Sequence, residues 1–509
     1  MFYANIAPAT SQTAPQRPFP QHLSYAANTI RPTNYTQAAQ DQHVRDFYDT
    51  WKADYLVAAG TNSSNQPLYR ITLGSSDPTA TVSEGQGYGM VIVAHMAGHD
   101  PNAQTLFDGL WRFSREFPSG IDSRLMSWKI QNGAVVSGND SAFDGDVDIA
   151  YGLLLADAQW GSSGEIDYAA EAEMVITAVL ESTIGPSSRL PMLGDWVPPN
   201  GNPYNQYTPR SSDFMPAHFR AFGRATHDAT WNTVIANSQA VIDTIQANNS
   251  PVTGLLPDFI INCQPISNCS PPSGQFLESS HDKNYYYNAG RDPWRIGLDG
   301  LLNGDAGAKT AVNKMITWVA SNTSGNAANI KAGYQLNGTR IGNYFTTFFV
   351  APMGVGAMLD STKQSFLNSI YASVYNRHEG YYEDSVNLLS LLAMTGNFWD
   401  PTAPEPLTGC VQPDEVVLQT AVQTINLTWN AIAGASGYEV WWANNDYYFS
   451  PGANCSSGSC LAATAPTVSH QNINYTPANN VVYTIFAGDC AASTVNHWAV
   501  FSFQLLPGS

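Results

Sequence analysis

The chain has 509 residues, of which 43% are hydrophobic and only 12% charged, and its formal net charge is −19. Such length and apolar content supply a large core plus a second module and argue against global disorder. The acidic balance argues against nucleic acid as a partner, because phosphates repel such a surface, and no run of about 18 apolar residues is present to span a membrane.

Residues 1–21, rich in Pro, Ala, Gln and Thr, are expected to be extended or disordered. They lack the basic region and apolar stretch of a signal peptide. Residues 22–399 are predicted to be helical. Apolar residues recur at three- and four-residue spacing around 36–58, 86–98, 103–115, 146–158, 165–181, 213–223, 228–246, 293–303, 307–320, 343–358, 363–375 and 384–395. Clusters of Gly, Pro, Asn and Asp separate these stretches. Twelve helices in pairs make six hairpins, which can close into a double ring with an apolar inner layer. The stretch 341–358, with Phe345, Phe348, Phe349, Val350 and Met353, suits that inner layer.

Pro401, Pro404 and Pro406 mark residues 400–410 as a stiff linker. Alternating patterns then replace helical spacing, and about seven short strands are predicted over 411–509, a small all-β sandwich. Leu427, Trp429, Gly437 and Tyr438 stand in a pattern that resembles a fibronectin type III module, for which a spacer role is expected. At most one of Trp441 and Trp442 is buried there, since neighbouring strand residues face opposite sides.

Six cysteines allow fifteen pairings. The simplest joins Cys263 to Cys269, Cys455 to Cys460 and Cys410 to Cys490. Disulfides imply an oxidising setting, so a secreted, extracellular protein is expected. No histidine spacing suits a metal, and no cofactor is expected.

The chemistry gathers in two acidic knots. Ser83-Glu84-Gly85-Gln86-Gly87-Tyr88-Gly89-Met90 sets one carboxylate among three glycines ahead of an apolar run. Asp144, Asp146 and Asp148 precede a second such run. The second knot is not an EF-hand loop: counting from Asp144, the places for Gly and Glu hold Ile149 and Leu155. Glycosidic bonds are broken by two carboxyl groups, one donating a proton and one activating water or attacking directly. Glu84 is a candidate donor; its alternative is a first-turn helix acid favoured by the dipole. The glycines are expected to let a polymer approach closely, and Tyr88 to offer a sugar-stacking face.

Together these two knots resemble glycoside hydrolase family 8. Further stretches fit in order: Leu-Met-Ser-Trp-Lys at 125–129, Gly-Asp-Trp at 194–196, Ser-Asp-Phe-Met-Pro-Ala-His-Phe-Arg at 212–220, Asn-Ala-Gly-Arg-Asp-Pro-Trp-Arg at 288–295, Phe-Val-Ala-Pro-Met at 349–353 and Gly-Tyr-Tyr-Glu-Asp at 380–384. The resemblance implies an (α/α)6 barrel that cleaves β-1,4-linked polymers with inversion. It implies Glu84 as general acid and Asp144 as the carboxylate gripping the distorted sugar. Trp128 and Trp196 correspond to stacking aromatics, and Asp146, Tyr287, Arg291 and Tyr381 to substrate-binding positions.

One position departs. Many members carry their base as Asp in Tyr-Asp-Ala-x-Arg, whereas this chain has Asn288 after Tyr287. The resemblance implies a branch whose base sits in a longer upstream loop, known for chitosanases and mixed-linkage glucanases. Here that loop is 258–286, with acids Asp258, Glu278 and Asp282. Glu278 is the expected base, flanked by the apolar Phe276 and Leu277; Asp282 and Asp258 are the alternatives. Asn288 is expected to hold the attacking water. The expected function is an endo-acting, monomeric hydrolase of chitosan or mixed-linkage β-glucan. A cellulose-type endoglucanase, a xylanase and a non-catalytic glycan-binding protein are the competing readings.

Overall fold

The computed structural model describes residues 13–403 and, beyond them, strand segments between 417 and 503. The chain divides into two compact units, Met1–Ala221 with Trp231–Pro401 and Phe222–Thr230 with Thr402–Ser509.

The first unit is mostly helical. Its helices are α1 (Gln37–Tyr55), α2 (Ser83–His95), α3 (Ala103–Glu116), α4 (Phe143–Trp160), α5 (Tyr168–Ser182), α6 (Pro216–Thr226), α7 (Thr230–Asn248), α8 (Asp292–Arg295), α9 (Gly297–Leu302), α10 (Ala306–Asn322), α11 (Thr347–Ala357), α12 (Gln364–Val374) and α13 (Tyr381–Met394). Each of the twelve predicted stretches has its helix. The one expected at 293–303 is split into α8 and α9.

Alternate helices form a closed inner ring. α2 packs on α4, α8 on α11, α11 on α13, and α13 back on α2. α6 bridges the remaining gap: its Phe219 meets Phe143 of α4 at 6.2 Å, and its Arg220 pairs with Asp299 of α9 at 2.7 Å. This closure is consistent with the expected (α/α)6 barrel. The inner helices are apolar nearly all round, as burial on every side requires; every residue of α11 is buried, as is every residue of α4 from Phe143 to Ala156. α3 and α12 instead bury one stripe. Short strands flank the ring: β1 (Leu56–Thr61) pairs with β2 (Pro67–Ile71), and β3 (Ala80–Val82), β4 (Lys129–Gln131) and β5 (Ala134–Val135) form a small antiparallel sheet.

The described part of the N-terminal segment is anchored. The Gln16 N–H donates to the Gln159 carbonyl (2.9 Å), the Phe19 N–H donates to the Ala97 carbonyl (2.7 Å), and the Phe19 ring is buried. In the second unit, β6 (Val417–Ala421), β7 (Thr424–Thr428), β8 (Tyr438–Asn444), β9 (Cys460–Ala463), β10 (Thr467–Gln471), β11 (Val481–Ala487) and β12 (Phe501–Phe503) make antiparallel sheets ordered β10-β7-β6 and β12-β11-β8-β9. The expected pairings of Cys410 with Cys490 and of Cys455 with Cys460, and the side chains of Trp441 and Trp442, lie outside the described residues.

The glycines of α2 serve packing, not polymer access. A Cβ at Gly85 would lie 2.5 Å from the Tyr381 hydroxyl, one at Gly87 2.6 Å from Asp148 Cβ and 2.9 Å from the Gly145 carbonyl, and one at Gly89 2.5 Å from Ile71. They let α2 approach α4 and α13, which brings the first turns of three inner helices together. Gly87→Ala is expected to destabilise the protein. Overpacking against rigid backbone costs about 1–3 kcal/mol, which outweighs a helix-propensity gain of about 1 kcal/mol; the denaturant midpoint measures it.

Candidate active site

A cavity of about 1020 Å³ opens over the N-terminal ends of the inner helices. Glu84, Trp128, Asp144, Trp196, Glu278, Tyr287, Asn288 and Tyr381 all line it. Eight positions scattered from residue 84 to 381 are thus brought to one place. Their supports are local. Glu84 and Asp144 sit in the first turns of α2 and α4, where the helix dipole favours a carboxylate. Trp128 precedes β4 and donates its indole N–H to the Ser137 carbonyl at 2.9 Å. Trp196 packs edge-on against Tyr204 at 5.2 Å.

Arg291, 1% exposed, is the hub beneath the floor. Its Nη1 donates to Glu84 Oε2 (2.7 Å), Asp144 Oδ2 (2.8 Å) and the Tyr88 hydroxyl (3.2 Å). Its Nη2 donates to Ser212 Oγ (2.9 Å) and Asn288 Oδ1 (3.2 Å). Arg210, which sequence reasoning missed, is a second hub. Its Nη2 lies 3.4 Å from Asp144 Oδ1, its Nη1 3.6 Å from Glu278 Oε1, and its Nε donates to Asp213 at 3.1 Å. Its signal was faint: it stands two residues before the 212–220 motif. The cavity liners Asp140, Tyr382 and Glu383 were also missed.

The two inner-helix carboxyls differ sharply. Burial dominates at Glu84 and, with Asp144 adding repulsion against the pull of Arg291, pushes its carboxyl up to about 8. Burial also acts on Asp144, but Arg210 and Arg291 together outweigh it and hold its carboxyl well below the ordinary range. Near neutral pH, one carries a proton and the other a charge.

Glu278 is reached through Asn288. The Asn288 Nδ2 donates to Glu278 Oε2 at 2.8 Å, while its Oδ1 accepts from Arg291 and, at 3.4 Å, from Arg210. Arginines only donate, so the amide oxygen must face them and the NH2 must face Glu278. Both lone pairs of Oδ1 are thereby occupied. Asn288 thus hydrogen-bonds Glu278 directly through one N–H of its amide. The Glu278 side chain is 46% exposed, open to solvent in the cavity.

Several expected positions lie outside the cavity. Asp146 is 1% exposed and accepts the Met126 N–H at 2.9 Å, so it braces the segment leading to Trp128 and does not line the cavity. Asp258 is buried and accepts the N–H groups of Tyr286, Asn288 and Ala289. Asp282 is fully buried and also bound to backbone. Neither alternative base reaches the cavity. Tyr88 is fully buried, so it presents no face to a sugar. Cys263 and Cys269 are disulfide-bonded. Among the described residues no His, Cys, Asp and Glu cluster suits a metal ion, and no helix is long and apolar enough to cross a membrane.

Residues 26–396 match the family Glycosyl hydrolases family 8. A β-glucanase of Niallia circulans is 44% identical over 389 residues, covering 76% of this chain and 92% of that one. An endoglucanase of Bacillus sp. (strain KSM-330) is 39% identical over 409 residues, covering 79% and 86%. The apo structure of a β-1,3-1,4-glucanase from Paenibacillus sp. X4 is similar with a TM-score of 0.72 at 43% identity, covering 76% of this chain and 100% of that one. The chain belongs to glycoside hydrolase family 8 and is a glycosidase.

Arg291→Met is expected to strand the buried Asp144 and the largely buried Glu84. Breaking a buried pair costs about 3–5 kcal/mol, and a fall in the denaturation midpoint of that size, together with loss of activity, checks it.

Proposed function

We propose that the protein is an endo-acting, inverting hydrolase of mixed-linkage β-1,3-1,4-glucan, with Glu84 as general acid and Glu278 as general base. The observation that carries this reading is the contrast within one cavity. The Glu84 side chain is only 18% exposed and keeps its proton to about pH 8, whereas Glu278 is 46% exposed and accepts from Asn288. The 44% and 43% identities to a β-glucanase and a β-1,3-1,4-glucanase support the substrate class.

The chemistry follows from the arrangement. A β-linked chain lies across Trp128 and Trp196, with Tyr287 and Tyr381 against the cleavage-site sugar. The ionised Asp144 accepts from the hydroxyls of that distorted sugar and stabilises positive charge as the ring flattens. Glu84 gives its proton to the leaving oxygen. Glu278 takes a proton from a water that attacks C1 from the opposite face, inverting the configuration, for which the two carboxyls stand roughly 6.5–9.5 Å apart. Among the described residues the buried Tyr381 hydroxyl has no hydrogen-bond partner.

One observation favours chitosan as a second substrate. Besides the protonated Glu84, four carboxyl residues line the cavity (Asp140, Asp144, Glu278 and Glu383), and among the described residues one arginine, Arg210, lines it with them. Such a field attracts a cationic polymer. The protein is further proposed to be secreted, as the Cys263–Cys269 disulfide supports, and monomeric. Its C-terminal region is proposed to be a fibronectin type III-like β-sandwich spacer joined by the Pro-rich stretch.

Reducing-sugar release from barley-type β-glucan, soluble chitosan, carboxymethyl cellulose and xylan tests the reading. The fastest release is expected from β-glucan; no release from any substrate, with polymer binding retained, sinks it. Because the protonated form of Glu84 is the active one, kcat/KM is expected to fall as pH rises through about 8, and Glu84→Gln to abolish turnover at every pH. Asn288→Asp would set a second carboxylate against Glu278 at hydrogen-bond distance. It is expected to lower kcat by about 100-fold, the scale of general-base catalysis, and to move the acidic limb of the pH profile upward.

A further inference from the structure

Behind the proposed base, outside the cavity lining, lies Asp282. Asp282 is fully buried, and its Oδ2 accepts the backbone N–H groups of Phe276 (2.8 Å), Leu277 (2.7 Å) and Glu278 (3.0 Å). Its Oδ1 accepts the Ser279 N–H (2.8 Å) and hydroxyl (3.3 Å). Four consecutive N–H groups thus converge on one carboxylate, forming a nest for an anion. Asp282 is itself tied down: its N–H donates to the Ser279 carbonyl (3.2 Å), and its carbonyl accepts the Phe259 N–H (2.9 Å). On the other side, the Phe276 ring packs against Phe259 and Tyr204, and the Tyr204 hydroxyl donates to the Phe276 carbonyl at 3.0 Å. Among the described residues, the Glu278 side chain, by contrast, has only Asn288 and the more distant Arg210 to fix it. The direction of its carboxylate therefore depends on where the backbone at 276–279 is held.

We propose that Asp282 is the positioning residue for the hydrolytic step, fixing the loop backbone so that the Glu278 carboxylate meets Asn288 and the attacking water. The proposal rests on the reading of Glu278 as base. It requires a carboxylate specifically. An amide at position 282 would turn an NH2 toward N–H donors that have no other acceptor in the loop, and the loop would shift. A shift of about 1 Å in a catalytic group costs on the order of 100-fold in rate. The residue touches neither substrate nor water; it acts through Glu278.

Kinetics of Asp282→Asn, Glu278→Ala and Ser279→Ala on soluble β-glucan, with and without sodium azide, test it. Asp282→Asn is expected to lose about 100-fold in kcat with KM within about twofold, the signature of a transition-state interaction. In Glu278→Ala the vacated space admits azide, which attacks C1 without needing a base. The glycosidic C–O bond breaks, Glu84 protonates the leaving oxygen, and an inverted glycosyl azide forms. Rescue is expected there and not in Asp282→Asn, where the Glu278 carboxylate still fills the space and repels the anion. Azide rescue of Asp282→Asn but not of Glu278→Ala would make Asp282 the base and overturn the proposal. Full kcat in Asp282→Asn, with Glu278→Ala inactive and rescued, would overturn the positioning role alone. Near-wild-type rate in Glu278→Ala would overturn the base reading beneath it. If Asp282→Asn does not fold, Ser279→Ala decides: a kcat loss of several-fold at constant KM supports the role, and unchanged kcat overturns it.

Discussion

The buried guanidinium of Arg291 is the contact around which the site is arranged. Five partners from four segments of chain meet it: Glu84 and Tyr88 on α2, Asp144 on α4, Ser212 ahead of α6, and Asn288 ahead of α8. A charge at this depth is tolerated only when its donors are all directed at acceptors. That demand fixes more than one side chain. It sets which way the Asn288 amide points, and it holds the ionised Asp144 beside the protonated Glu84.

From that contact follows the division of labour between the acids. Glu84 and Asp144 share one nitrogen of Arg291, yet their environments separate them. Arg210 stands 3.4 Å from Asp144, whereas it acts on Glu84 only more weakly and without a direct ion pair. The additional cation decides which of the two gives up its proton. Glu278 stands apart on a loop, and a neutral amide links it to the same network. The protein thus places one neutral acid, one fixed anion and one solvent-facing carboxylate inside a single cavity.

Much of this was legible in the chain itself. The helices were readable because each buries a stripe or its whole circumference, and periodicity records that directly. Glu84, Asp144, Trp128 and Trp196 were readable because they sit in compact motifs. Arg210 was not, because its importance lies in two partners far away in sequence, Asp144 and Glu278. Asp146 and Asp282 misled for a related reason. An acid in a motif or in a loop looks the same whether its oxygens face substrate or backbone N–H groups. The glycines of α2 were read as access for a polymer, whereas each makes room for a neighbouring side chain or helix.

The close approach of α2 and α4 at Gly87 and Gly145 has a consequence for how such a chain tolerates change in length. Glu84 and Asp144 each lie within a few residues of that contact, so their separation in space is set by two short helical stretches and not by the long segment between them. Length changes in the surface loops of that segment carry only a slow entropic cost. One residue added between Glu84 and Gly87, or between Asp144 and Asp148, would rotate its carboxylate by about 100° around the helix axis and take it out of reach of Arg291. The loops are free to lengthen or shorten, while these two first turns must keep their register residue for residue.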